Sequence, residues 1–119
     1  MNHIDPNALD PYREMMGDEA DAFVADILNT YLSNSNQLVN SIETCFASGD
    51  IATFTRAAHT LKGNSAMFGA QTLTGLALQL EQAGKTNHLE NLQPIIAQLK
   101  VEYEIVRQEL TELRRTLPG

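Results

Sequence analysis

The sequence predicts an all-α fold: an antiparallel four-helix bundle with a short additional N-terminal helix. Three observations carry this. Apolar residues recur at steps of three and four through four long stretches, no stretch of strand length alternates with period two, and the connections between the stretches are short. The 119 residues, 43% hydrophobic, suit a single domain over residues 1–119 with an ordinary core, without repeats, linkers or low-complexity tracts.

The elements follow in order. Residues 4–16 read as a short amphipathic helix opened by Asp5-Pro6 and closed by Gly17, burying Leu9, Tyr12 and Met16. Over 18–48, Val24, Ile27, Leu28, Tyr31, Leu38, Ile42, Cys45 and Phe46 wind one stripe along a long helix, with a polar weak point at 33–36. Gly49 stops that helix and Asp50 caps the next, which spans 51–68 and ends at Gly69. Leu73, Leu76, Ala77 and Leu80 mark a third helix closed by Gly84 with Lys85 behind it, followed by a loop at 85–88. The last helix runs through Leu89, Leu92, Ile96, Leu99, Tyr103, Val106, Leu110 and Leu113, with Pro94 tolerated near its first turn.

Composition narrows the function. Eight Lys and Arg against fifteen Asp and Glu give a net charge of -7, which argues against nucleic-acid and anionic-membrane partners. Cys45 is the single cysteine and reads as a small core hydrophobe; no apolar run approaches a bilayer span; the first ten residues carry acids where a secretory signal would be basic and then apolar. A cytoplasmic monomer is expected. His3 and His88 have no ligand-spaced partners, so no metal site is expected.

The informative stretch is AAHTLKGNSAMFGA, residues 57–70. Gly63 sits in mid-helix, where glycine costs about 1 kcal/mol relative to alanine. At 100° per residue with His59 at zero, Phe54, Ala57, Leu61 and Phe68 fall between roughly 160° and 220°, and form the core stripe. His59 therefore points outward, with Thr55, Arg56, Lys62, Gly63 and Ala66 within about 60° of it. That face is cationic and free of carboxylates in an acidic protein. Met67, Phe68, Leu76 and Leu80 are expected in the core. A neutral imidazole offers a ring lone pair, Lys62 a mobile charge for phosphoryl oxygens, and Gly63 a bare backbone for an approaching partner. Phosphoryl transfer needs little more than such positioning and charge.

The run AHTLKGNSAMFGA resembles the signature of histidine-containing phosphotransfer (HPt) domains, the His-to-Asp relay modules of two-component phosphorelays. His59, Leu61, Lys62, Gly63, Ser65, Gly69 and Ala70 sit where that pattern expects them, and the resemblance extends over nearly the whole chain. It implies that His59 accepts a phosphoryl group at Nε2 from the aspartate of one response-regulator receiver domain and donates it to another. It implies that Lys62 steadies the group and Gly63 gives access. A Gln or Glu on the next helix holds the other ring nitrogen in many family members; Glu81 occupies that position, with Gln79 and Gln82 as neighbouring alternatives, and Arg56 as a further supporting residue. The chain would be a stoichiometric carrier with no cofactor and no ATP site of its own, any Mg²⁺ belonging to the receiver, and it could be part of a larger hybrid histidine kinase. The competing reading is a helical adaptor that docks receivers without transferring.

Overall fold

The computed structural model describes residues 3–5 and 7–117. The expected helix start at Pro6 and the two chain ends lie outside the described residues. The elements are α1 (Asp10–Met16), a 3-10 turn (Gly17–Glu19), α2 (Ala20–Ser48), α3 (Ile51–Ala66), α4 (Gln71–Thr86) and α5 (Gln93–Arg115), with no strand among the described residues. The four long helices form the bundle. Each packs on the next in chain order, α5 closes the ring against α2, and α1 lies on α2. At about 1.5 Å per residue the 29 residues of α2 nearly span the 48 Å long axis.

Local chemistry sets the boundaries. Gly49 adopts φ 83°, the left-handed conformation that ends α2, and the Asp50 side chain accepts the Thr53 amide at 3.2 Å to start α3. Five boundaries differ from the sequence expectation. The first helix begins at Asp10, using Pro11 in its first turn, and residues 18 and 19 belong to a 3-10 turn. α3 stops at Ala66, and Gly69 turns the chain at φ 67°. α4 runs through Gly84 to Thr86 and is capped by Asn87 in the left-handed conformation, so the expected loop at 85–88 is partly helix. α5 starts at Gln93 with Pro94 in its first turn.

Most of the predicted stripe residues form the core, from Val24, Leu28, Tyr31 and Ile42 to Phe54, Leu61, Leu73, Leu80, Leu99 and Leu110, whereas Ile27, Leu38, Cys45 and Phe46 are half-buried against it. Of the side expected to be buried at 4–16, Leu9 is buried but Tyr12 and Met16 are only half-buried. The polar stretch at 33–36 does not break α2. Ser35 is buried there and its hydroxyl meets that of Tyr103 at 2.8 Å, which satisfies both groups across the α2–α5 contact. Met67 is a correction: it is 39% exposed, because its backbone is still helical and the period of α3 places it about 80° from His59, on the outward side, so its apolar character alone pointed to the core. Leu76 is half-buried.

Candidate functional site

The site is built on the facing surfaces of α3 and α4. Phe54, Ala57, Ala58 and Leu61 anchor α3 in the core, and this rotation turns His59 outward with 62% of its side chain exposed. Ser65 is buried and its hydroxyl meets the Tyr31 hydroxyl at 2.9 Å, tying the end of α3 to α2. Ala70 is buried at the α3–α4 turn. An added Cβ at Gly63 would meet nothing within 4 Å, so the helix is bare beside His59.

From α4, Glu81 reaches into this surface. It is 1% exposed, and its Oε2 lies 2.6 Å from His59 Nδ1. Its Oε1 accepts from Lys62 Nζ at 2.6 Å, and Lys85 Nζ stands 3.1 Å from Oε2. A buried carboxylate ordinarily resists ionisation. Here the Lys62 ammonium, followed by those of Lys85 and the His59 ring, outweighs burial and holds the carboxyl down to about 2 from its usual 4.5. At neutral pH the carboxylate is ionised and can only accept hydrogen bonds, so Nδ1 must carry the proton that joins them. In the neutral ring this leaves the lone pair on Nε2, in a side chain that is 62% exposed.

Of the residues singled out in the sequence, the structure brings His59, Lys62 and Glu81 into direct contact and sets Gly63 beside them. Gln79 and Gln82 are exposed, so of the three residues left open on α4 it is Glu81 that touches the ring. Lys62 is not the free charge the helical wheel implied: it is 27% exposed and bound to Glu81. Arg56 is exposed and forms no ion pair among the described residues; with Lys85, His59 and Glu81 it borders a shallow depression of about 440 Å³. Lys85 was missed as a site residue because its position fits a C-terminal charge on a helix; its spacing of four from Glu81 is the signal that could have found it. His3, for which the sequence offers no ligand-spaced partner, places Nδ1 2.6 Å from Glu102 Oε2 on α5. No cluster of three or more potential metal ligands occurs among the described residues, and no helix among them is long and apolar enough to cross a membrane.

A second surface feature adjoins the site. His59, Gly63 and Met67 lie at successive steps of four, and beyond Met67 a groove of about 390 Å³ opens between α2 and α3, lined by Phe23, Ile27, Tyr31, Asn64 and Phe68.

The family model described as Hpt domain matches residues 26–116. Among solved structures, the chain is similar to the histidine-containing phosphotransfer protein B (HptB) from Pseudomonas aeruginosa PAO1, with 28% identity, a TM-score of 0.82 and coverage of 98% of this chain and 97% of that one. Its fold is also that of the HPT domain from the Hpt sensor hybrid histidine kinase from Shewanella, at 24% identity and a TM-score of 0.79, covering 100% and 97%. No curated protein matches.

Proposed function

The chain belongs to the Hpt domain family, whose members are histidine phosphotransfer modules of phosphorelays, and on that premise we propose that His59 is its phosphoacceptor. The observation that carries the assignment is the Nδ1 contact with an ionised Glu81, which commits the ring proton to one nitrogen and the lone pair to the other. Nε2 attacks the phosphorus of an aspartyl phosphate on a receiver domain. A phosphorus–nitrogen bond forms as the phosphorus–oxygen bond breaks, and the receiver carboxylate leaves with the electron pair. Glu81 offsets the positive charge the ring acquires, and the reverse step hands the group to a second receiver. Hpt domains carry phosphoryl groups and do not catalyse turnover; this chain works without an ATP site of its own, and Mg²⁺ enters with the receiver. The protein acts in the cytoplasm as a monomer, with the apolar groove beyond Gly63 and Met67 as the surface a receiver covers.

The assignment is tested by incubation with a receiver carrying ³²P-labelled aspartyl phosphate. Acid-labile, alkali-stable label should appear on the wild type and be absent from His59→Gln. Label that persists in the variant removes His59 from the role, and no label from any of several receivers favours a docking adaptor.

A further inference from the structure

Two lysines meet one carboxylate, and they are held differently. Lys62 Nζ is 2.6 Å from Glu81 Oε1 with 27% of its side chain exposed, whereas Lys85 Nζ is 3.1 Å from Oε2 with 62% exposed. A phosphoryl group on Nε2 brings negative charge that a cation stabilises, and the lysine whose contact loosens at the lower cost is the better placed to supply it. Withdrawing Lys62 removes the short bond from a buried carboxylate and the largest influence holding that carboxyl ionised. Withdrawing Lys85 breaks a longer, solvent-screened contact and leaves Oε2 still bonded to the ring. Lys85 Nζ and His59 Nδ1 share one oxygen, Glu81 Oε2, at 3.1 and 2.6 Å. The depression beside His59 is lined by Ala52, Thr55, Arg56 and Lys85 together with Glu81, and Lys62 is not among the residues that line it.

Building on the assignment of His59 as phosphoacceptor, we propose that Lys85, with Arg56 beside it, is the cation that meets the phosphoryl oxygens, and that Lys62 is the fixed counter-ion that holds Glu81 in place. Lys85 is then a catalytic residue and Lys62 a positioning residue, although the sequence motif points to Lys62 for the first role. A lysine suits the task because its ammonium is a point charge on a flexible stem and can exchange one oxygen for another without moving the helix.

The test compares Lys85→Met, Lys85→Arg, Lys62→Met and Arg56→Met for transfer rate from a phosphorylated receiver, phosphohistidine lifetime, the His59 Nδ1–H resonance and melting temperature. Lys85→Met should slow transfer on the order of tenfold, less than the loss of an enclosed oxyanion donor because the site is open to water. Its melting temperature should stay near the wild-type value, and Lys85→Arg should restore most of the rate. Arg56→Met should show the same pattern to a smaller degree. Lys62→Met should shift the Nδ1–H resonance and lower the melting temperature. Transfer at full rate in Lys85→Met overturns the proposal, as does slowed transfer in Lys62→Met with an unmoved ring signal and melting temperature. His59→Gln separates the two levels: label retained there defeats the phosphoacceptor and Lys85 together, whereas label lost there with Lys85→Met at full speed defeats Lys85 alone.

Discussion

Glu81 is the residue on which the site turns, because it is both the most buried acid in the molecule and the only group that touches all three of His59, Lys62 and Lys85 among the described residues. Its carboxyl titrates at about 2 in the folded protein against a usual 4.5, so the unfolded chain takes up the proton at higher pH than the folded one. The stability this contributes is therefore complete above about pH 4.5 and drains away as pH falls towards 2. Glu81→Gln keeps an oxygen for Nδ1 but has no charge to titrate. Melting temperatures measured from pH 2 to 6 should fall more gently for the variant than for the wild type; parallel curves would mean that the carboxylate is not held by its cations. That this residue was an acid on a flank of α4 was readable from spacing alone. Its burial was not, because burial depends on how closely α3 approaches, a distance absent from any one helix's pattern.

That distance is set at the level of the paired helices by Gly84, whose surroundings are the opposite of those at Gly63. An added Cβ at Gly63 would meet nothing, whereas one at Gly84 would come within 1.9 Å of Thr55 Oγ1 and 3.1 Å of Thr55 Cβ. Thr55 cannot easily turn aside, since its hydroxyl donates to Ile51 O at 2.8 Å. Gly84 thus lets α4 lie against α3 one turn beyond Glu81, which keeps the carboxylate within reach of the ring. Gly63→Ala should raise helix stability by up to about 1 kcal/mol. Gly84→Ala gains the same propensity yet should cost about 1–3 kcal/mol net through overpacking, with part recovered in Gly84→Ala/Thr55→Ala. Denaturant midpoints decide this: a Gly84→Ala protein as stable as Gly63→Ala would show that the helices are not in tight contact there. Gly63→Gln, in contrast, should fold well and bind a receiver more weakly, as the new side chain occupies the open face between His59 and Met67. The helical stripes, the cap at Asp50 and the outward direction of His59 and Gly63 were all legible because each is a property of one helix's period. Gly84 reads as a helix stop because a glycine looks alike as a cap or a contact, and Met67 reads as core because its apolar side chain outweighs a helical period that turns it outward beside Gly63.

At the scale of the whole molecule, the bundle leaves α3 and α5 diagonal to each other, and residues 3–5 bridge them. The His3 and Ile4 amides donate to Glu109 on α5 at 2.8 and 3.2 Å, and the His3 ring meets Glu102 at 2.6 Å. At the other end the Asp5 amide donates to Phe68 O at 3.0 Å, and Asp5 lies so close to Gly69 that a Cβ there would come within 2.4 Å of it. Ile4 is buried between these points. The strap so formed fastens the turn that follows the motif helix to the last helix, a link the four-helix ring itself lacks. Glu102 is buried with His3 as its partner, so His3→Ala leaves a buried carboxyl without one and should cost about 1–3 kcal/mol. In a protein of this size that lowers the melting temperature by about 4 °C or more. Replacing both groups, as in His3→Ala/Glu102→Leu, removes the stranded carboxyl along with its partner and should recover much of the loss. A single variant that melts with the wild type, or a double variant that melts below the single one, would mean that the strap is held by Ile4 and the backbone bonds and that the ring and carboxyl add nothing to it.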